Sequence, residues 1–497
     1  LEIKLRSVVM KQAGILMPVA SLPSRLGIGD FGAFAYEWVD TLNHNNVGIW
    51  QILPLNPLGY GNSPYQPYSS FAGDEIYISL EYLHEDGLLK SIPEPFNRYS
   101  TKIDYNAVRA YKEKYLKEAF EEFNKASSQN EEYKNFKKQA WLKDYAVFRS
   151  LKHKNKEAGW NTWEEKDKEY SLETGSFSPE LKEFLEYTYF IQFIFYTQWM
   201  KLKTYANEKN IKIMGDVPFY VGFDSADVWA GKKNFLLDKE YNPTYIAGVP
   251  PDYFTATGQR WGNPIYDWDN MKKEDYVFWT NRIGYNAKLF DIVRVDHFRA
   301  FDTFWRVEAS CETAIDGKWI EAPGYEVLEK ILADMKDKEL VAEDLGDLRP
   351  EVMVLKEHFN LKGMKIFEFD MELSKKYAFD SKLAKDWSKI IYYTGTHDNA
   401  TLLEWCQSLS PAAYRKLKKF LKKQGIKDGG ISKRAIEFIL KSEAEYAIIA
   451  MADIMEFGSL GRINTPGTVG SPNWEWRVDT IEEMKYYLGK YKELMKR

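Results

Sequence analysis

The chain has 497 residues, enough for one large α/β barrel with insertions or for two to three domains. A net charge of −5, with Lys and Arg dispersed, excludes nucleic acid and anionic membranes as partners. Two cysteines cannot build a disulfide framework and fit a reducing cytoplasm, and no apolar run is long enough to span a bilayer.

Residues 1–9 contain no apolar signal-peptide core, and Met10 is read as the natural start with an added remnant before it. Gly14–Val19 predicts a first buried strand and Phe31–Leu42 a helix. Val47–Leu53 predicts a second strand, which ends residues 10–80 in a Pro-, Gly- and Ser-rich loop holding Tyr60, Ser63 and Tyr65. Those tyrosines either stack on sugar rings or pack the loop onto the body of the protein. From Glu81 to Asn210 the spacing turns helical, which predicts an inserted helical subdomain whose charged runs are solvated faces. Residues 211–497 resume the alternation. Ile211–Asp216, Leu289–Asp296, Leu340–Gly346, Met364–Phe369 and Ile390–Thr394 predict strands three to seven. Ala447–Met451 fits either the eighth strand or a buried helix. The expected fold is an α/β (β/α)8 TIM barrel with a large, mainly helical insertion between the second and third strands.

Barrel active sites lie at the C-terminal strand ends. Asp216, Asp296, Glu343 and Asp398 all fall there. A single acidic strand end is explained by helix capping, but four at one mouth, beside Arg294 and two histidines, are not. Arg294 inside a β-branched run needs a partner, and Asp296 lies on the same side two residues on. Arg294 is therefore expected to hold Asp296 ionised with a lowered pKa. An ionised Asp296 and a Glu343 of higher pKa form the pair needed for retaining glycoside chemistry, as nucleophile and acid/base. Asp398 would bind the sugar's secondary hydroxyls, and Asp216 would orient Arg294. The six histidines and two cysteines show no metal-ligand spacing, and no Gly-rich phosphate loop is present, so neither metal nor cofactor is expected.

Arg294-Val295-Asp296-His297, Glu343 and His397-Asp398, in that strand order, resemble the α-amylase clan. Ser63-Pro64-Tyr65-Gln66, Gly215-Asp216-Val217-Pro218, the stretch 224–264 and Asn464–Thr468 with Asn473-Trp474 narrow the resemblance to the 4-α-glucanotransferase family, the amylomaltases or disproportionating enzymes. The chain departs from that family's usual pattern at Ala300, Ala400 and Asp370–Ser374. The resemblance implies a transferase moving α-1,4-glucan segments among maltooligosaccharides and starch. It implies sugar contacts from Tyr60, Ser63, Tyr65, Asp216, Gln259, Trp261, Arg294, His297, His397 and Asn464. Hydrolysis on the same scaffold and non-catalytic glucan binding are the alternatives. Residues 247–264, with Gly248, Pro250, Pro251 and Gly258 beside Tyr253, Phe254 and Trp261, are read as an irregular loop covering the site. The alternative is a loop packed on a neighbouring helix.

Overall fold

The computed structural model describes residues 11–169, 177–251, 255–346, 348–373 and 387–496. Eight strands form one parallel sheet: β1 (Gln12–Leu16), β2 (Ile49–Gln51), β3 (Lys212–Val217), β4 (Ile292–Val295), β5 (Glu339–Ala342), β6 (Gly363–Ile366), β7 (Ile390–Tyr393) and β8 (Tyr446–Ala450). Their order around the sheet is 6-7-8-1-2-3-4-5. A single parallel bridge, Val341 to Lys362, joins β5 to β6, with the Ala342 N–H donating to the Lys362 carbonyl at 2.9 Å. The sheet is thus a nearly closed barrel. Residues 447–451 are strand followed by helix from Met451, and the sixth strand stops at Ile366, where a helix begins at Phe367.

The strands are buried on both faces, with Ile15, Ile49, Ile213, Ile292, Val341, Ile391 and Ile448 fully covered. That burial selects aliphatic and β-branched residues. Gly215 has a separate cause: a Cβ there would lie 2.1 Å from the Phe290 ring. Only glycine lets that ring pack against the strand directly before Asp216. The tryptophans mostly serve the core, since Trp38, Trp50, Trp160, Trp199, Trp229 and Trp279 are fully buried.

Between β2 and β3 the described chain is a loop to Ser79 and mainly helical from Leu80 onward. Its main elements are α2 (Tyr105–Asn124), α3 (Glu131–Phe136), α4 (Ala140–Lys154) and α5 (Pro179–Glu208), while α1 (Ala33–His44) follows β1. Asp104 caps α2, and Ser178 caps α5 with Pro179 in its first turn. Two side-chain amides of α5 dock the 54–79 loop. Gln192 both accepts from and donates to the Gly73 backbone at 2.8 Å, and Gln198 does the same to Ser79 at 2.7 and 3.1 Å. Arg109 of α2 adds a forked ion pair to the buried Asp74. The insertion thereby fixes the part of that loop that follows Tyr65, from Gly73 to Ser79.

A second, antiparallel sheet rises from the connections after β3 and β4. Its strands run in the order Gln259–Pro264, Tyr245–Val249, Thr303–Glu308, Lys318–Glu321. This corrects the expectation of an irregular loop over 247–264, since Tyr245–Val249 and Gln259–Pro264 pair as a bulged hairpin. Gly248 is required by the pairing, because a Cβ there would meet the Gln259 carbonyl at 2.2 Å. Gly258 supplies the left-handed turn at φ +68°. Tyr253 and Phe254 lie outside the described residues. Among the described residues no helix is long and apolar enough to cross a membrane.

Candidate active site

Barrel register places Arg294 in β4 directly beside Asp216 in β3. Arg294 is 3% exposed and Asp216 2%. Nη1 of the arginine donates to both Asp216 oxygens at 2.6 Å, while Nη2 lies 3.0 Å from Oδ1 of Asp296. Tyr65, from the loop after β2, donates its hydroxyl to Asp216 at 2.8 Å. The same hydroxyl lies 3.2 Å from Nδ1 of His397, and the two rings stack at 4.8 Å. Breaking one side of such a buried ion pair costs about 3–5 kcal/mol, because the other charge is left uncompensated.

Glu343 follows β5. Its Oε2 accepts the His297 N–H at 2.8 Å and its Oε1 the Leu345 N–H at 3.0 Å. His297 reaches that position with a left-handed backbone, φ 51°, which is uncommon for a residue with a Cβ. Asp398 follows β7 and projects into the mouth with its side chain 47% exposed. Asn464 donates its side-chain N–H to Asp398 at 2.7 Å and its backbone N–H to the His397 carbonyl at 3.0 Å.

Electrostatics separate the carboxyls. Burial pushes Asp296 up to about 6, and Arg294, the next largest influence, only partly counters it. The expected lowering by Arg294 is therefore corrected. The arginine gives its two shortest bonds to Asp216, whose charge also raises Asp296. Glu343 is pushed up to about 8, by burial first and then by the Asp296 charge. At neutral pH Asp296 is mainly ionised and Glu343 mainly protonated. Burial, aided by Arg299, drops His297 to about 3, so its ring stays neutral.

Trp261 stands on the hairpin strand nearest the mouth, its ring edge-on to His297 at 4.9 Å. Gln259 accepts from the Trp261 indole N–H at 3.2 Å, and Gln66 donates to the Trp261 carbonyl at 3.1 Å. Tyr60 sits apart on an outer turn, 78% exposed, and Ser63 shapes that turn by accepting the Tyr65 N–H. Three neighbours were missed as individual site residues. The Tyr220 ring faces Trp261 and His297, and the Trp474 ring faces Tyr65 and His397. Arg462 donates to the Asn464 carbonyl at 3.0 Å. Only Trp474 carried a sequence signal, through its place beside Asn473. Among the described residues no group of three His, Cys, Asp or Glu is arranged to hold a metal ion.

The family model of 4-alpha-glucanotransferases, glycoside hydrolase family 77, matches residues 17–482. The chain belongs to this family. It is 41% identical to a 4-alpha-glucanotransferase of Synechocystis over 94% of this chain and 93% of that one. It is 38% identical to a 4-alpha-glucanotransferase of Thermus thermophilus, with 94% of each covered. The solved amylomaltase of Streptococcus agalactiae, in complex with acarbose, superposes with a TM-score of 0.89 at 32% identity, covering 97% and 98%. The amylomaltase of Corynebacterium glutamicum, 17% identical with a TM-score of 0.78, shares the fold. The activity is that of a 4-α-glucanotransferase.

Proposed function

We propose that the enzyme transfers α-1,4-glucan segments by a retaining double displacement in which Asp296 is the nucleophile and Glu343 the acid/base. The Asp296 carboxylate attacks the anomeric carbon. Glu343 gives its proton to the departing glycosidic oxygen, which leaves as the 4-hydroxyl of the shortened chain. An incoming glucan then places its own 4-hydroxyl at the anomeric carbon. Glu343 takes that proton, and the bond to Asp296 breaks, restoring both carboxyls. Asp398 holds the sugar's secondary hydroxyls as the ring flattens. His297, His397, Tyr65 and Trp261 line the donor ring, Asp216 and Asn464 hold Arg294 and Asp398 in place, and Tyr60, Ser63 and Gln259 contact the chain farther out. An acceptor hydroxyl on the donor chain itself closes a cyclic glucan.

The observation that carries this reading is geometric: Arg294, fixed on Asp216, reaches Asp296 at 3.0 Å, while Glu343 takes the His297 and Leu345 N–H groups beside it. Transfer also requires that sugar outcompete water at the covalent intermediate. The paired strands Tyr245–Val249 and Gln259–Pro264, pinned by Gln66 and carrying Trp261 against His297, are suited to cover that intermediate. The substrates are maltooligosaccharides and starch, and the two free thiols, Cys311 and Cys406, suit a reducing cytoplasm. Incubation with maltotriose tests the reading. Glucose together with maltopentaose and longer chains is expected, whereas glucose and maltose alone would indicate hydrolysis.

A further inference from the structure

A second concave site lies on the flank of the barrel. The groove, about 920 Å³, runs along the outer face of α5 between α1, α3 and α6 (Val277–Leu289). Glu208 and Lys288, at one end, each lie four residues before the start of β3 or β4. That end is therefore at the rim opposite the catalytic mouth, and no residue of the mouth lines the groove.

Its chemistry is specific. Phe136, Tyr196, Tyr205 and Tyr285 give it aromatic walls, with Phe136 and Tyr196 5.4 Å apart. Asn135, Gln139 and Thr197 add amide and hydroxyl groups. The charges at its edges cancel, Glu132 and Glu208 against Lys201 and Lys288. Tyr285 is 8% exposed, yet among the described residues its hydroxyl has no hydrogen-bond partner and is not sealed from the groove. A hydroxyl so deeply placed is ordinarily satisfied by water or by a ligand. Aromatic faces, uncharged hydrogen-bonding groups and no net charge fit an uncharged polyol, and disfavour an anion or a cation.

We propose that this groove is an accessory site for an α-1,4-glucan chain, holding polymeric substrate on the enzyme away from the mouth. The choice of glucan rests on the transferase reading above, since that polymer is the neutral polyol the enzyme already handles. A sugar ring would lie against Tyr196, which Phe136 backs, and a glucan hydroxyl would pair with Tyr285.

Native electrophoresis through a gel containing soluble starch tests this, run in an Asp296→Asn background so that the starch is not remodelled. Tyr196→Ala is expected to weaken starch retardation about two- to tenfold, the loss of one aromatic contact. Thr197→Arg, which fills the groove from an accessible position, is expected to do the same and serves if Tyr196→Ala misfolds. With Asp296 intact, either variant should keep maltotriose transfer within about twofold of the parent while losing rate on dilute starch. Retardation equal to the parent's in both variants would overturn the proposal. So would a change of oligomeric state with unchanged retardation, which would assign the groove to a second copy of the chain. A parent that fails to transfer on maltotriose would instead overturn the transferase reading, so the two failures are distinct.

Discussion

Replacing Glu343 by Gln should abolish transfer and make the protein less sensitive to alkaline pH. The folded protein holds this carboxyl at about 8, against 4.5 in the open chain. Its folded-state pKa is raised, so the folded state binds the proton more tightly and stability falls as pH rises from about 4.5 to about 8. Ionising the carboxyl fully against that gap would cost roughly 5 kcal/mol. Glu343 is only partly buried, and water at the mouth screens the charge, which leaves roughly 2–3 kcal/mol at pH 9. Gln has the shape of the protonated acid and never ionises. At pH 5 the variant should melt no higher than the parent, because the Gln NH2 cannot accept the backbone N–H that one Glu343 oxygen takes. Between pH 5 and pH 9 the variant should gain about 2–3 °C on the parent, given roughly 1 kcal/mol per degree for a chain this long. Thermal denaturation at fixed scan rate from pH 5 to 9 measures the difference. A variant that gains nothing on the parent as pH rises would refute the argument that Glu343 is a strained, proton-holding acid.

The same ordering predicts a bell-shaped kcat/KM profile, rising through about pH 6 as Asp296 ionises and falling through about pH 8 as Glu343 loses its proton. A profile flat from pH 5 to 9 would contradict it. Asp216→Asn should move the acid limb downward by about 1 pH unit, because a charge that raises Asp296 is gone and Arg294 turns wholly to Asp296. An unmoved or raised acid limb would show that Asp216 acts otherwise. Trp261→Ala should raise hydrolysis relative to transfer on maltotriose, read as reducing ends released per transfer event. An unchanged ratio at lower total rate would remove the hairpin's covering role. Asn464→Ala should lower kcat about tenfold or more with the melting temperature little changed, since Asn464 aims Asp398. A fall in melting temperature that accounts for the lost activity would argue for a merely structural role.

The barrel is legible in the sequence because each strand is a short aliphatic run buried on both faces, and Asp216, Asp296, Glu343 and Asp398 mark the strand ends. The antiparallel sheet is not legible. Its strands pair across long stretches of chain, Tyr245–Val249 with Thr303–Glu308, and Gly248 and Pro250 read locally as loop. The presence of a partner for Arg294 follows from burial alone. The direction of the Asp296 shift does not, because it depends on how one guanidinium is shared between two carboxylates. Within the loop after β2, composition cannot distinguish Tyr65, which reaches Asp216, from Tyr60, which faces solvent. That difference rests on contacts distant in sequence, such as those of Gln66, next to Tyr65, with Trp261 and Asn263.

The assignment of Asp296 as nucleophile is tested most directly by trapping the covalent intermediate. In Glu343→Gln an activated glucosyl fluoride needs no acid to depart, but the second step lacks its base, so the glycosyl ester should accumulate. Peptide mass mapping should then find one glucosyl group on Asp296. A label on any other residue, or fluoride release with no label at all, would contradict the account.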